Sequence, residues 1–86
     1  MNATLRLLIP EKKGLRKRIE AVMKEGGVEV VEFRIRKELQ GIRDAEIEIV
    51  YANEMLLPFV FSQLGRMPGV ALLSLVGLKP PAPPSL

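Results

Sequence analysis

Cysteine, histidine and tryptophan are all absent from this 86-residue chain, and one tyrosine and three phenylalanines are its only aromatics. Without cysteine there can be no disulfide framework and no thiolate metal site. Without histidine, zinc and haem lose their usual ligand, and acid–base catalysis loses its usual imidazole. Most familiar enzyme mechanisms are removed at once, so neither a catalytic activity nor a cofactor is expected. Long hydrophobic runs are missing too: no apolar stretch approaches the roughly 20 residues of a membrane helix. The start, MNATLRLLIP, is too short and too soon interrupted by charge to be a secretory signal. A soluble, cytoplasmic protein with no membrane association is the expectation.

What is present points to a globular protein, with 48% hydrophobic and 27% charged residues. The length allows one domain, and so small a domain buries limited apolar area, which makes oligomerisation a natural source of stability. The net charge of +3 is mild and the cations are interleaved with glutamates. Nucleic acid is therefore not the favoured partner.

Residues 4–9 alternate, with Leu5, Leu7 and Ile9 on one face and Arg6 and Leu8 on the other, as in a strand closed by Pro10. From Leu15 to about Lys24, Leu15, Ile19, Val22 and Met23 recur at helical spacing, and Gly26-Gly27 supplies the stop. Val28 to Lys37 reads as a second strand with Val31, Phe33 and Ile35 inward and Glu32, Arg34 and Arg36 outward. The adjacent Val30 and Val31 make the alternation slip there, as at a bulge or a two-sided edge. Gln40-Gly41 is the expected hairpin tip, and Ala45 to Tyr51 the third strand, with Tyr51 on the core side. The outward face sets Arg6, Arg34 and Arg36 against Glu32, Glu46 and Glu48, pairs worth roughly 0.2–1 kcal/mol each.

Asn53 is an expected N-cap for a second helix reaching about Met67, with Leu56, Val60, Leu64 and Met67 toward the core. Pro58 requires that helix to kink or to start late. Pro68-Gly69 ends it, and Val70 to Leu78 is a final, almost wholly apolar strand. The segment 80–86, with four prolines and a serine, reads as an extended or disordered tail after a domain at 1–79. The order β-α-β-β-α-β specifies an α+β, ferredoxin-like sandwich: a four-stranded antiparallel sheet, usually ordered 4-1-3-2, with both helices on one face. The other face then carries apolar Leu8, Val50 and half of the last strand, which together with Phe59 or Phe61 suggests a protein partner.

The richest segment for function is the turn from the first strand into the first helix. Gly14 stands there among Lys12, Lys13, Arg16, Lys17 and Arg18. Backbone N–H groups at a helix start, together with cations, can hold a small anionic or zwitterionic ligand. Two readings of Gly14 stay open: close approach of a ligand carboxylate, or backbone geometry alone. The cations are either an anion site or a solvated face, and each near the helix end opposes the macrodipole at a cost of roughly 0.3–1 kcal/mol. Glu46 and Glu48 read as partners of Arg34 and Arg36 rather than as a catalytic pair.

Three segments make the chain resemble an ACT domain, the small regulatory module of amino-acid metabolism: TLRLLIPEKKGLRKRI, KEGGVEVVEF and FSQLGRMPGVALLSLVG. The likeness covers residues 4–78, and GIRDAEIEI after the second strand is similar to the ACT modules of some bacterial malic enzymes. Three positions depart from the family pattern: Glu11 stands for its usual Asp, Lys13 for its Pro, and Arg16 for a residue that is often apolar. The resemblance implies a ligand, typically an amino acid, held between two domains by the β1–α1 turn of one and the second-strand start of the other. Carried over, it marks Glu11, Lys12, Lys13, Gly14, Leu15 and Arg16, with Val28, Glu29 and Val30 opposite, and implies a homodimer or higher oligomer serving a metabolic enzyme.

Three functions follow for test: a regulatory module binding an amino acid or small anion, an ACT-like assembly module without ligand, and a nucleic-acid binder using the basic corner. The last is the weakest. RNA-recognition domains of this topology stack bases on aromatics of the two central strands, whereas here the first strand has none and Tyr51 faces the core.

Overall fold

The computed structural model of the chain describes residues 1–76. Strand β1 (Asn2–Pro10) leads into helix α1 (Leu15–Glu25). Strands β2 (Val28–Leu39) and β3 (Ile42–Tyr51) follow, then a short 3₁₀ turn (Glu54–Leu56), helix α2 (Leu57–Gly65) and strand β4 (Ala71–Val76). The sheet is antiparallel with order β2-β3-β1-β4. This is the ferredoxin-like βαββαβ sandwich, in the strand order expected from the sequence.

Alternation explains the core. Leu5, Leu7 and Ile9 of β1 pair with Ile47, Ala45 and Arg43 of β3, and every apolar member of that set is buried. The helices cover this face with Leu15, Ile19 and Met23 from α1 and Leu57, Val60 and Leu64 from α2. Tyr51 lies in the same core. Burial, and secondarily the charge of Glu54, pushes its hydroxyl pKa above the ordinary value.

The opposite face is polar at its centre. Arg34 reaches Glu46 at 2.8 Å, with Glu32 and Glu48 at 3.5 and 3.6 Å, and Arg36 lies 3.5 Å from Glu46. Arg6 is directly opposite Glu46 on the neighbouring strand, yet its guanidinium bonds Asp44 at 2.7 Å. Arg6 and Asp44 therefore form a separate pair beside the network.

Several boundaries and facings differ from expectation. Val31 is not inward: the β2–β3 register slips between Val30 and Glu32, and Val31 is 59% exposed. The inward residues on either side of that bulge are Val28, Val30 and Phe33. A second slip, between Ile35 and Lys37, leaves Arg36 as the extra residue. The Asn53 side chain accepts from the Met55 N–H at 2.9 Å, but what it caps is the 3₁₀ turn. Helix α2 begins only at Leu57, with Pro58 in its first turn, where a missing N–H costs little. In consequence Leu57, not Leu56, fills the core position. Phe59 is exposed, whereas Phe61 packs against the core.

Gly26 sits at the end of α1 with ordinary φ (−83°), and Gly27 carries the positive value. A Cβ added to Gly26 would overlap Val60 Cγ2, so α1 approaches α2 closely there. Strand β4 is seen over Ala71–Val76. Residues 77–78 of the expected strand and the tail 80–86 lie outside the described residues.

Candidate functional site

The turn between β1 and α1 is built by Gly14, whose φ of +80° places it in the left-handed region. An added Cβ there would meet nothing within 4 Å, so backbone conformation, not crowding, requires glycine at this point. The Leu15 N–H donates to Lys12 O and the Arg18 N–H to Gly14 O, both at 3.2 Å. Among the described residues no side chain caps the helix start, and no acidic residue occupies its first turn. The Arg16 and Lys17 amides and the positive end of the dipole are therefore left without a side-chain cap among the described residues.

This turn is tied to the β2–β3 hairpin. Gln40 and Gly41 both have positive φ, 50° and 80°, the pattern of a type I′ turn. From that tip Gly41 O accepts the Glu11 N–H at 2.7 Å. Arg43 reinforces the link, lying 3.2 Å from Glu11 and 3.5 Å from Glu38.

Between turn, helix and β2 lies a cleft of about 390 Å³. All six turn residues marked from the sequence, Glu11 to Arg16, line it. Five more residues were not anticipated: Ile9 and Pro10 from β1, Phe33 and Ile35 from β2, and Arg43 from β3. The Arg16 guanidinium stands over the Phe33 ring, 5.0 Å from its centroid, and also bonds Glu20 at 3.1 Å. Arg43 had no distinctive spacing in the sequence. Its place follows only from the register that sets it opposite Ile9 and Glu38.

Val28, Glu29 and Val30 are not in this cleft. With Glu20, Lys24 and Gly27 they line a second one of about 400 Å³, at the other end of α1 and the start of β2. Within one chain the marked residues thus form two separate depressions. Both lie where α1 meets β2, the outermost strand on that side of the sheet.

Among the described residues, no acidic cluster could hold a metal ion. Nor is any helix among them long and apolar enough to cross a membrane.

No protein-family model matches the chain, and no curated protein matches it. Solved structures do. The chain is similar to the ACT domain of the GTP pyrophosphokinase of Chlorobium tepidum, with a TM-score of 0.65 at 19% sequence identity, covering 87% of this chain and 94% of that one. The chain has the fold of an ACT domain, as its three sequence segments implied.

Proposed function

With the ACT fold as premise, we propose that this chain is a regulatory module that binds a small carboxylate-bearing or otherwise anionic metabolite, the amino acids included, as a homodimer or higher oligomer. It performs no chemistry of its own. Ligand favours one arrangement of two copies, and a partner metabolic enzyme senses that arrangement through linkage.

The observation that carries this reading is the placement of two half-clefts along a single free edge. If two β2 strands pair antiparallel about Phe33, residue 29 meets 37 and residue 32 meets 34. Glu29 then faces Lys37 of the second copy and Glu32 faces Arg34, so the charges of this edge complement themselves. Each such cross-strand pair is worth roughly 0.2–1 kcal/mol. The same two-fold brings Val28–Val30 of one copy beside residues 36–38 of the other, next along β2 to Ile35, which lines the glycine-turn cleft. Two composite sites result, each with one half from either copy, matching what the family resemblance implies.

A second reading, pure assembly, draws support from β4. This edge strand has no charged residue, and its Leu72, Leu73 and Val76 are exposed. Size-exclusion chromatography with light scattering, combined with thermal shifts in the twenty amino acids and small anions, tests both. A dimer whose melting temperature rises with one compound class is the expected result. A dimer indifferent to every compound leaves only assembly, and a monomer indifferent to all of them refutes both.

A further inference from the structure

We infer that Arg16 is the anchoring residue of the glycine-turn cleft, and that it takes the single carboxylate of a ligand whose remainder is apolar. The inference rests on the ligand-binding reading above and adds to it an anchor and a ligand class.

Arg16 is fixed on two sides before any ligand arrives. Its guanidinium lies over the Phe33 ring, 5.0 Å from the centroid, and its Nε donates to Glu20 at 3.1 Å. Stacking uses one face of the planar group, and the bond to Glu20 uses one of its five N–H donors. The terminal nitrogens, Nη1 and Nη2, remain for an acceptor, in the fork geometry that matches a carboxylate. A side chain already held in this way loses less rotamer entropy on binding than a free lysine does. The other cations of the cleft are placed differently. Lys12 and Lys13 line it as exposed residues, and Arg43 is engaged by Glu11 at 3.2 Å and Glu38 at 3.5 Å.

The charge of this corner sets how many anionic groups it accommodates. Lys12, Lys13, Arg16 and Arg43 stand with Glu11, Glu20 and Glu38, four cations against three carboxylates, which leaves a net +1. One ligand carboxylate neutralises that charge, and a second anionic group meets no excess cation. The rest of the wall suits hydrocarbon: Ile9, Leu15, Phe33 and Ile35 line the cleft, and Ile35 is 41% exposed. A ligand body laid against Ile35 removes that apolar surface from water.

Isothermal titration of the intact chain with isovalerate, acetate and succinate, at matched ionic strength, tests this. Isovalerate should bind at least about tenfold more tightly than acetate, which lacks the apolar body. Succinate should bind no more tightly than isovalerate. Arg16→Met keeps an apolar stem beside Phe33 and should weaken isovalerate by about tenfold or more. Arg16→Lys keeps the charge without the fork and should recover little of that loss. The Arg16 side chain is 63% exposed, so both variants should fold, which their ligand-free melting temperatures check. Lys17→Gln removes a neighbouring charge outside the cleft lining and should change the affinity by less than about threefold. Arg16→Lys binding as tightly as the parent, or Lys17→Gln weakened as much as Arg16→Met, would overturn the anchor, because undirected charge would then account for binding. Succinate binding more tightly than isovalerate would overturn the ligand class. An amino acid that binds where isovalerate does not would overturn the inference and leave a ligand-binding module standing. If no amino acid and no carboxylate binds to a chain shown to be dimeric, the ligand-binding reading itself falls.

Discussion

Replacing Gly26 with alanine isolates a packing constraint from a backbone one. The backbone at Gly26 (φ −83°, ψ 6°) is open to any L-residue, so Gly26→Ala introduces no conformational strain. Its cost lies across the helix interface, where the new methyl would overlap Val60 Cγ2 and approach Phe59 Cδ1 to 3.3 Å. Phe59 is exposed and can turn aside. Val60 is fully buried and, being β-branched on a helix, has one strongly preferred rotamer. The helices must therefore separate locally, which costs about 1–3 kcal/mol as overpacking. Alanine also restricts the unfolded chain relative to glycine, returning about 0.4–1 kcal/mol. A net loss centred on about 1.3 kcal/mol remains, which in a domain of this size lowers the melting temperature by about 4–8 °C per kcal/mol. Urea denaturation followed by circular dichroism, at one fixed protein concentration, reads it directly. The double variant with Val60→Ala should lose less than the two singles together, with a coupling of about 0.5–3 kcal/mol. Gly14→Ala supplies the contrast: its loss of about 1–2 kcal/mol comes from left-handed backbone in open space, and no neighbouring truncation should rescue it. A Gly26→Ala protein as stable as the parent, or additivity with Val60→Ala, would refute the argument.

Leu5→Ala, at a fully buried position on the central strand β1, should cost about 2–5 kcal/mol in the same urea assay. Tyr51 gives a pH signature. Its folded pKa is raised by burial and then by Glu54, so the unfolded chain ionises first. The contribution is constant below the ordinary tyrosine value near 10 and stability falls as pH rises above it. Tyr51→Phe should flatten that fall relative to the parent in melts at several alkaline pH values, and an unchanged slope would remove Tyr51 as its source. At the β2 edge, Glu32→Lys should weaken the dimer by placing like charges opposite each other, and adding Arg34→Glu should restore it. Sedimentation equilibrium that finds no rescue would exclude the Phe33-centred register.

Strand periodicity carried most of the fold. Leu5, Leu7 and Ile9, then Ala45, Ile47, Ile49 and Tyr51, alternate without interruption, and all are buried. Pro58 narrowed α2 to a kink or a late start, and the structure takes the late start, with the missing N–H in the first turn. Legibility failed where the register slips. The adjacent Val30 and Val31 pointed to a bulge or a two-sided edge, and Val31 was expected inward where the structure packs Val30 against the core instead. The choice depends on which valine the α1 layer covers, a tertiary matter. The candidate site divides in the same way. Glu11 to Arg16 are contiguous and local geometry brings them together. Phe33, Ile35 and Arg43 join them only through pairing across the sheet, which no local spacing encodes.

The bond from the Glu11 N–H to Gly41 O has a consequence for ligand thermodynamics. Two surface turns, 30 residues apart in sequence, are fastened into one body at 2.7 Å. Ordering a loop residue costs about 1–2 kcal/mol of conformational entropy, and here much of that cost falls on folding rather than on ligand capture. A ligand meeting a turn already ordered in this way loses less of its contact energy to loop immobilisation. The Glu11 amide is a sensitive reporter of that state: slow hydrogen exchange in the ligand-free protein signifies a cleft assembled in advance, and protection gained only on binding signifies one that the ligand has to assemble.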